Sequence, residues 1–220
     1  MHNLRMIARG AAECHTPEVG SSESSWLSTL RPSRIREVQG GALAWTRLRL
    51  IDTSGQGSAL RPLLECLGIQ VELCRVGQAR HLAAALSAPQ IPFVVLETHG
   101  DEGDIVLDEL ADEVQRFQPF GPRVTPDDVR RIADLHGATV IATGCQTGAE
   151  AMADAFLDAG AEAYVAPTGA PFGYASVFAP AMLFYDLTQG DSIDTAVERL
   201  RAHDAELAMW QLTRPEDELA

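Results

Sequence analysis

From about residue 42 onward, segments whose apolar residues are spaced as in strands alternate with segments whose apolar residues are spaced as in helices. The pattern therefore predicts strands separated by helices. Apolar runs predict strands over 42–51, 69–76, 91–96, 104–107, 138–141 and 163–166, and apolar residues three or four apart predict helices over 58–67, 79–86, 125–135, 149–159, 176–187 and 192–209. Strands that alternate with helices pair in parallel through right-handed crossovers. The sequence therefore predicts an α/β fold, a three-layer α/β/α sandwich with a mainly parallel sheet.

The chain before this pattern has a different composition. Residues 20–25 are rich in Gly and Ser, as flexible linkers are, and Gly40 and Gly41 mark a break. We therefore expect residues 1–40 to be a flexible tail or pro-segment and residues 41–220 to be a single domain. The amino terminus lacks the apolar stretch of a signal peptide, and no apolar run approaches the roughly 20 residues that span a bilayer. We expect a cytoplasmic protein with no membrane partner.

The charge of the chain limits the classes of partner. It carries 31 acidic and 17 basic residues, a formal net charge of −14 at pH 7. This balance argues against a nucleic-acid partner, because binding to a phosphate backbone depends on Lys and Arg. It suits a cationic partner or substrate, although a solvated acidic surface is the commoner meaning of such a charge.

The cysteines do not form a metal-binding or disulfide pattern. Cys14, Cys66, Cys74 and Cys145 show neither CxxC nor Cys/His zinc spacing, so we expect reduced thiols and no cofactor. The acidic residues 101–104, with Asp108, offer oxygen ligands for Ca²⁺. They lack EF-hand spacing, so a solvated turn is the favoured interpretation.

Two of the predicted strands lead directly to a reactive residue. The strand over 91–96 leads to His99, and the strand over 138–141 leads to Cys145, each with a glycine beside it. Because the carboxyl ends of parallel strands meet at one edge of the sheet, where ligands bind, we expect the two side chains to lie close together. A thiolate is the nucleophilic form of cysteine, and a neighbouring imidazole can accept its proton.

The glycines beside these residues add a second chemical feature. The backbone N–H groups of Gly100 and Cys145 could converge on the oxyanion that forms when a carbonyl is attacked. Taken singly, a cysteine at a strand end is usually a small buried hydrophobe, and a histidine before glycine is usually a turn residue. As a pair, His99 and Cys145 support a catalytic dyad and a structural role about equally.

Two segments carry a resemblance to a known family. FVVLETHGDEG, at 93–103, resembles the histidine strand of caspase-like (clan CD) cysteine peptidases, and VIATGCQTG, at 140–148, resembles their cysteine strand. Cys145 follows His99 by 46 positions, close to the roughly 50 of caspases. Downstream, AFLDAGA and FYDLTQG are similar to the CHAT branch of this clan. The resemblance covers about residues 42–205 and implies the caspase-hemoglobinase fold, with His99 and Cys145 as the dyad.

The chain departs from this family at two places. The Gln-Ala-Cys triplet of caspases is Thr143, Gly144 and Cys145 here, and the aromatic residue that usually follows the fifth strand of CHAT domains is replaced by residues 168–171, Thr-Gly-Ala-Pro. That region would form a wall of the first specificity pocket. The resemblance therefore implies the catalytic pair and leaves the substrate preference open.

The leading interpretation is a cysteine endopeptidase that hydrolyses a protein substrate and is regulated by a partner protein or by the pro-segment. Its substrate-binding residues are predicted to be Asp52, Ser54, Pro167, Thr168 and Gly169. The acidic balance of the chain favours a basic residue before the cut. The rival interpretation is an inactive caspase-like scaffold that acts as a binding or regulatory module. A nucleotide binder is disfavoured, because residues 52–57 contain neither GxGxxG nor Walker A spacing.

Overall fold

Nine strands and seven α-helices alternate along residues 46–215, the part of the chain that the computed structural model describes. The strands are β1 (Thr46–Asp52), β2 (Ile69–Arg75), β3 (Phe93–Glu97), β4 (His99–Asp101), β5 (Asp104–Val106), β6 (Arg123–Val124), β7 (Thr139–Ala142), β8 (Ala163–Pro167) and β9 (Trp210–Thr213). The helices are α1 (Gly57–Cys66), α2 (Ala79–Leu86), α3 (Asp112–Gln115), α4 (Pro126–Ile132), α5 (Glu150–Asp158), α6 (Gly173–Thr188) and α7 (Ile193–Arg201). The predicted tail at 1–40 lies outside the described residues.

A six-stranded sheet with the order β2-β1-β3-β7-β8-β9 forms the centre of the molecule. The first five of these strands pair in parallel, and β9 pairs antiparallel to β8 at one edge. A smaller antiparallel sheet with the order β4-β5-β6 begins directly after β3. The prediction of a mainly parallel sheet is confirmed.

Helices cover both faces of the central sheet, because successive side chains of a strand point to opposite faces. Val94 and Leu96 of β3 pack in one apolar cluster with residues of α2, α4 and α5. Val95, between them, packs in a second cluster with residues of α1, α6 and α7. The fold class predicted from the sequence, a three-layer α/β/α sandwich, is confirmed.

Local sequence signals fix several helix ends. Gly68 and Gly160 follow α1 and α5 with φ of 76° and 90°, a left-handed conformation that glycine adopts without a steric penalty. Thr125 and Asp128 form a reciprocal capping box at the start of α4. Helix α4 ends earlier than the predicted residue 135, because the backbone N–H of Asp134 instead donates to the Leu86 carbonyl at 3.1 Å.

The carboxyl-terminal helix predicted over 192–209 is wrong in its second half. Helix α7 ends at Arg201, and a single 3₁₀ turn at Leu207–Met209 leads into β9. Asp204 stabilises this turn by accepting the backbone N–H of Leu207 at 2.8 Å. The apolar residues that resembled one face of a helix are buried instead at the sheet edge, where Leu207 and Trp210 join the core.

One strand of the smaller sheet was also predicted from the sequence. The short extra strand predicted over 104–107 is present as β5 and is the centre of the smaller sheet.

Among the helices of residues 46–215, none combines the length and the apolar character required to cross a membrane.

Truncation of Trp210 tests the role of β9. The Trp210 side chain is fully buried, and its Nε1 donates to the Ala142 carbonyl at 3.3 Å, so it links the edge strand to the strand before Cys145. We expect Trp210→Ala to lower the free energy of unfolding by roughly 3–5 kcal/mol in urea denaturation. Phe117→Ala, at a 72% exposed ring, is the matched control and should change it by less than about 0.5 kcal/mol. If Trp210→Ala lowered the free energy of unfolding no more than Phe117→Ala does, β9 would contribute little to stability.

Candidate active site

The register of the sheet carries His99 and Cys145 to the same edge. Leu96 of β3 lies directly opposite Ala142 of β7, and each reactive residue follows its member of this pair by three positions. His99 opens β4, whereas Cys145 lies in the loop after β7. The two residues therefore follow neighbouring parallel strands at the same edge of the sheet, as the strand pattern predicts.

Both side chains border one cavity of about 220 Å³ at this edge. Its lining consists of Gln56, Glu97, Thr98, His99, Thr143, Cys145, Pro171, Phe172, Gly173 and Ser176. His99 is exposed and Cys145 is half-buried, so a ligand can reach both. The cavity is smaller than the 300–1,000 Å³ typical of drug-sized ligands, and its volume suits a single side chain of a larger substrate.

The backbones that carry the dyad lie in direct contact. A Cβ atom added to Gly100 would overlap the Cys145 carbonyl oxygen and would lie 2.7 Å from Thr147 Cγ2. A Cβ added to Gly144 would lie 3.0 Å from the Gly100 nitrogen. The first distance is too short for a real Cβ atom, and the second is tighter than most real Cβ contacts. Glycine at these two positions therefore lets the His99 and Cys145 segments approach each other.

Hydrogen bonds between threonines hold the same two segments together. The Thr98 backbone N–H donates to Thr143 Oγ1 at 3.3 Å, and the Thr143 N–H donates to the Leu96 carbonyl at 3.1 Å. Thr147 Oγ1 closes the loop by donating to the Gly144 carbonyl at 2.7 Å. The sequence analysis did not single out Thr98 or Thr147, since threonine beside a strand end is too common to signal a site.

Residues at the end of β8 and directly after it form hydrogen bonds to the loop that carries Cys145. Gln146 has a φ of 60°, and its N–H donates to the Gly169 carbonyl at 2.7 Å. The Gly148 N–H donates to the Pro167 carbonyl at 2.8 Å, whereas the Thr168 N–H donates to Met209 at 2.9 Å. The predicted pocket residues Pro167, Thr168 and Gly169 therefore lie outside the cavity lining and position the loop.

The other two predicted pocket residues, Asp52 and Ser54, do not line the cavity, but both neighbour Glu97, which does. The sequence analysis did not identify Glu97. Ser54 Oγ donates a short hydrogen bond to Oε2 of Glu97, which lines the cavity and is 1% exposed. Asp52 lies opposite Glu97 in the strand register and is 3% exposed. An acidic residue that ends the apolar run of β3 is the signal that could have identified Glu97.

The environment of Glu97 disfavours its charged form. Burial raises the pKa of the Glu97 carboxyl above its usual value of 4.5, and a hydrogen bond and charge from Asp52 raise it further. The hydrogen bond from Ser54 and the charge of His99 lower the same pKa, but they do not cancel the effect of burial. The cavity thus ends in a carboxyl group that holds its proton more tightly than an ordinary glutamate.

The acidic residues of the loop beside the site form ion pairs with one arginine. Arg123 of β6 bonds to Asp101 at 2.9 Å and to Asp104 at 3.2 Å, and it pairs with Glu102 at 3.4 Å. Across residues 46–215, no group of three or more His, Cys, Asp or Glu side chains is arranged to hold a metal ion. Asp101, Glu102 and Asp104, three of the four carboxylates considered as Ca²⁺ ligands, therefore form ion pairs with Arg123.

A larger cavity of about 800 Å³ lies away from the dyad, between α1, α6 and α7. We call it the apolar groove. Its walls include Leu63, Leu67, Phe178, Met182 and Tyr185. Three of these, Leu63, Phe178 and Tyr185, are large side chains that are about half exposed. The groove has the character of a contact surface.

Comparisons with known proteins give a distant structural match. No family model and no curated protein matches the chain. The crystal structure of the Saccharomyces cerevisiae separase–securin complex matches with 11% identity and a TM-score of 0.47, over 77% of this chain and 12% of that chain. A fusion protein with the trimeric coiled coil of yeast Spc42 matches with 12% identity and a TM-score of 0.31, over 70% of this chain and 90% of that chain. This chain therefore spans about one eighth of the length of the separase–securin chain that it matches.

Substitution of Gly100 tests the backbone contact. We expect Gly100→Ala to destabilise the fold by about 1–3 kcal/mol, because the new methyl group meets backbone atoms that cannot rotate away. Gly121→Ala is the control, since a Cβ there meets nothing within 4 Å. Thermal unfolding of both variants measures the difference, and an unchanged melting temperature for Gly100→Ala would contradict the close approach.

The pKa of Glu97 gives a prediction for stability against pH. A carboxyl whose pKa is higher in the folded state binds more protons when folded, so it lowers stability as pH rises from its usual pKa through the raised value. Glu97→Gln removes this titration. We expect the melting temperature of the variant, relative to wild type, to increase as pH rises above the usual carboxyl pKa of 4.5. A difference that stays constant with pH would show that the Glu97 pKa is not raised.

Proposed function

We propose that this protein is a caspase-like cysteine endopeptidase that cleaves a protein substrate. The observation that carries the proposal is the cavity bordered by both His99 and Cys145, at the carboxyl ends of two neighbouring strands. The two glycines whose added Cβ atoms would collide with the opposite segment support a reactive function, since a purely structural cysteine needs no such approach. The sequence resemblance to clan CD peptidases points to the same pair.

The proposed reaction proceeds through a thioester. The thiolate of Cys145 attacks the carbonyl carbon of the scissile peptide bond, and the N–H groups of Gly100 and Cys145 donate to the resulting oxyanion. The C–N bond breaks as protonated His99 gives its proton to the leaving amine. A water molecule then loses a proton to His99 and attacks the thioester, which releases the carboxylic acid and restores the Cys145 thiolate beside protonated His99.

The acidic surroundings of the cavity support a basic residue before the cut. Glu97 lies in its lining, and Asp52 lies beside Glu97 in the strand register. An acidic side chain of the substrate would add a further negative charge to this pair of carboxyl groups, which is unfavourable because like charges in a poorly solvated pocket interact strongly. We therefore propose that Arg or Lys fills the cavity, whereas Asp does not.

A second candidate function rests on the apolar groove. Its half-exposed Leu63, Phe178 and Tyr185 would suit a protein partner, either an activator of the peptidase or the ligand of an inactive scaffold. The two versions differ in one property, which is the reactivity of Cys145. That property can be measured without knowledge of the natural substrate.

Replacement of the nucleophile tests the peptidase. We expect Cys145→Ala to abolish cleavage of a peptide library, with a loss of at least about 10³-fold, because the thioester cannot form. Cys66→Ala removes an exposed cysteine of the apolar groove and should retain cleavage. Mass spectrometry of the products measures both variants. Cleavage by Cys145→Ala at the wild-type rate would disprove the mechanism.

An electrophilic peptide probe separates the peptidase from the scaffold. Selective modification of Cys145 over Cys14, Cys66 and Cys74 supports the enzyme, and equal or absent labelling supports the scaffold. The measurement is repeated on a chain without residues 1–40, so that a latent pro-form is distinguished from an inactive one.

A further inference from the structure

Two residues with an unfavourable backbone conformation are hydrogen-bonded to each other beside the candidate site. Within residues 46–215, the non-glycine residues with positive φ are Glu102, His136 and Gln146, at 52°, 47° and 60°. A left-handed backbone is unfavourable for a residue with a Cβ atom, so it persists where neighbouring contacts fix it. Gln146 Oε1 accepts the Glu102 backbone N–H at 3.0 Å, so two of these three residues are partners.

Glu102 lies at the tip of a β-hairpin that begins with His99. Strands β4 and β5 pair antiparallel, and Asp101 lies opposite Asp104, so Glu102 and Gly103 form a two-residue turn. Both turn residues have positive φ, 52° and 89°, as a type I′ turn requires. Antiparallel pairing joins the two strands into one unit, so a contact at the tip also constrains the strand that carries His99.

Gln146 directly follows Cys145, and three hydrogen bonds hold it. Its backbone N–H donates to the Gly169 carbonyl at 2.7 Å, and its own carbonyl accepts the Ala149 N–H at 3.0 Å. The bond from its side chain to the hairpin is the third. Rotation about the backbone of Gln146 would move the adjoining Cys145, so the contacts of Gln146 also constrain the nucleophile.

The hairpin is also fixed on its other sides. Arg123 of β6 bonds to Asp101 at 2.9 Å and to Asp104 at 3.2 Å, which holds the outer strand. A Cβ atom added to Gly103 would lie 3.1 Å from the Ala149 Cβ, so the tip lies against the residue before α5. The tip is therefore held against the segment that follows the nucleophile, and Gln146 supplies a hydrogen bond between the two.

We propose that Gln146 is a positioning residue: its side-chain amide bonds the tip of the histidine hairpin to the loop of the nucleophile and thereby holds the Cys145 thiol in reach of His99. This inference rests on the proposed function for the use that is made of the pair. The effect on the thiol itself is measurable without any cleavage.

A second attachment point is needed because the first one allows rotation. The contact between Gly100 and the Cys145 carbonyl lies near the base of the hairpin, and a unit held only at its base can pivot about it. The bond between Glu102 and Gln146 lies at the tip and prevents that movement. A displacement of about 1 Å in a pair of reacting groups can lower a rate by up to about 10²-fold, so the pivot would matter.

Alkylation of Cys145 in the full chain tests the proposal. Iodoacetamide modifies thiolates, and mass spectrometry of the digested protein gives the rate at Cys145 itself. Gln146→Met keeps the length of the side chain and removes the acceptor oxygen. We expect this variant to react roughly 3- to 10-fold more slowly than wild type, as for the loss of one neutral hydrogen bond. Gln70→Met makes the same change at an exposed glutamine of the edge strand β2 and should react as the wild type does.

A second variant, Gln146→Gly, separates positioning from backbone strain. Glycine adopts the left-handed conformation without a steric penalty, so this variant loses the side-chain bond while its backbone becomes less strained. We expect it to react as slowly as Gln146→Met, whereas its melting temperature should be no lower than that of Gln146→Met. A residue that acted only through stability would change both properties in the same direction.

The charge of the reagent reports the partner of the thiolate. Iodoacetate is anionic, so a protonated His99 beside the Cys145 thiolate favours it over neutral iodoacetamide. Both Gln146 variants keep the charge of the protein unchanged. We therefore expect the ratio of the iodoacetate rate to the iodoacetamide rate to fall in both variants, because His99 moves away from Cys145.

Three results would overturn the proposal: a wild-type alkylation rate in Gln146→Met, a wild-type rate in Gln146→Gly, which would assign the effect to backbone strain, or an unchanged ratio of the two reagents in both variants. Circular dichroism verifies that each variant is folded, and cleavage of the peptide library is measured in parallel. Slower alkylation of both variants together with a wild-type chain that cleaves nothing would reject the peptidase and retain the role of Gln146. Equal cleavage by the wild type and both variants would do the reverse.

Discussion

The backbone segments that carry His99 and Cys145 lie closer together than any side chain would permit, and the candidate site depends on this contact. A Cβ atom at Gly100 would overlap the Cys145 carbonyl oxygen, and one at Gly144 would lie 3.0 Å from backbone atoms of His99 and Gly100. The hydrogen bond from the Thr98 N–H to Thr143 Oγ1 also joins the two segments. Contacts between main-chain atoms therefore set the relative position of His99 and Cys145.

The distribution of charge reinforces the same site. Most surface carboxylates near an arginine are already paired: Arg123 contacts three of them, and Arg199 and Arg130 contact two each. Glu97 differs because it is buried, opens onto the cavity and has a hydroxyl group for its hydrogen-bond partner. In a chain with an excess of acidic residues, Glu97 is therefore a buried carboxyl group that receives its hydrogen bond from an uncharged side chain.

Helix α6 connects the candidate site with the apolar groove. Its first turn contributes Gly173 and Ser176 to the cavity, and its second half contributes Met182 and Tyr185 to the groove. The buried face of the same helix packs Ala179 and Leu183 against the sheet. A protein bound in the groove would therefore contact the helix that also borders the cavity, which is the arrangement that regulation by a partner requires.

Local sequence determined much of this architecture. Alternating apolar runs define both faces of the sheet, as Val94, Val95 and Leu96 illustrate, and Gly68 and Gly160 end helices because they can adopt a left-handed conformation. Strand ends that lead to His99 and Cys145 were also visible, since the crossover rule for parallel strands brings their carboxyl ends to one edge. These features depend on residues close together in the chain.

Contacts between distant segments decided the rest. Strand β9 lay outside the predicted elements, because the helix predicted over 192–209 stopped before Trp210 and only the free edge of β8 makes residues 210–213 a strand. Likewise, the sequence offered Pro167, Thr168 and Gly169 for the pocket, but the tertiary structure turns them toward the cysteine loop and the chain near Met209. Glu97 gained its significance from Asp52 and Ser54, more than 40 positions away. A pocket is formed by what several strand ends enclose together, so the sequence by itself determined that His99 and Cys145 each follow the carboxyl end of a strand, and only the folded sheet decided what surrounds them.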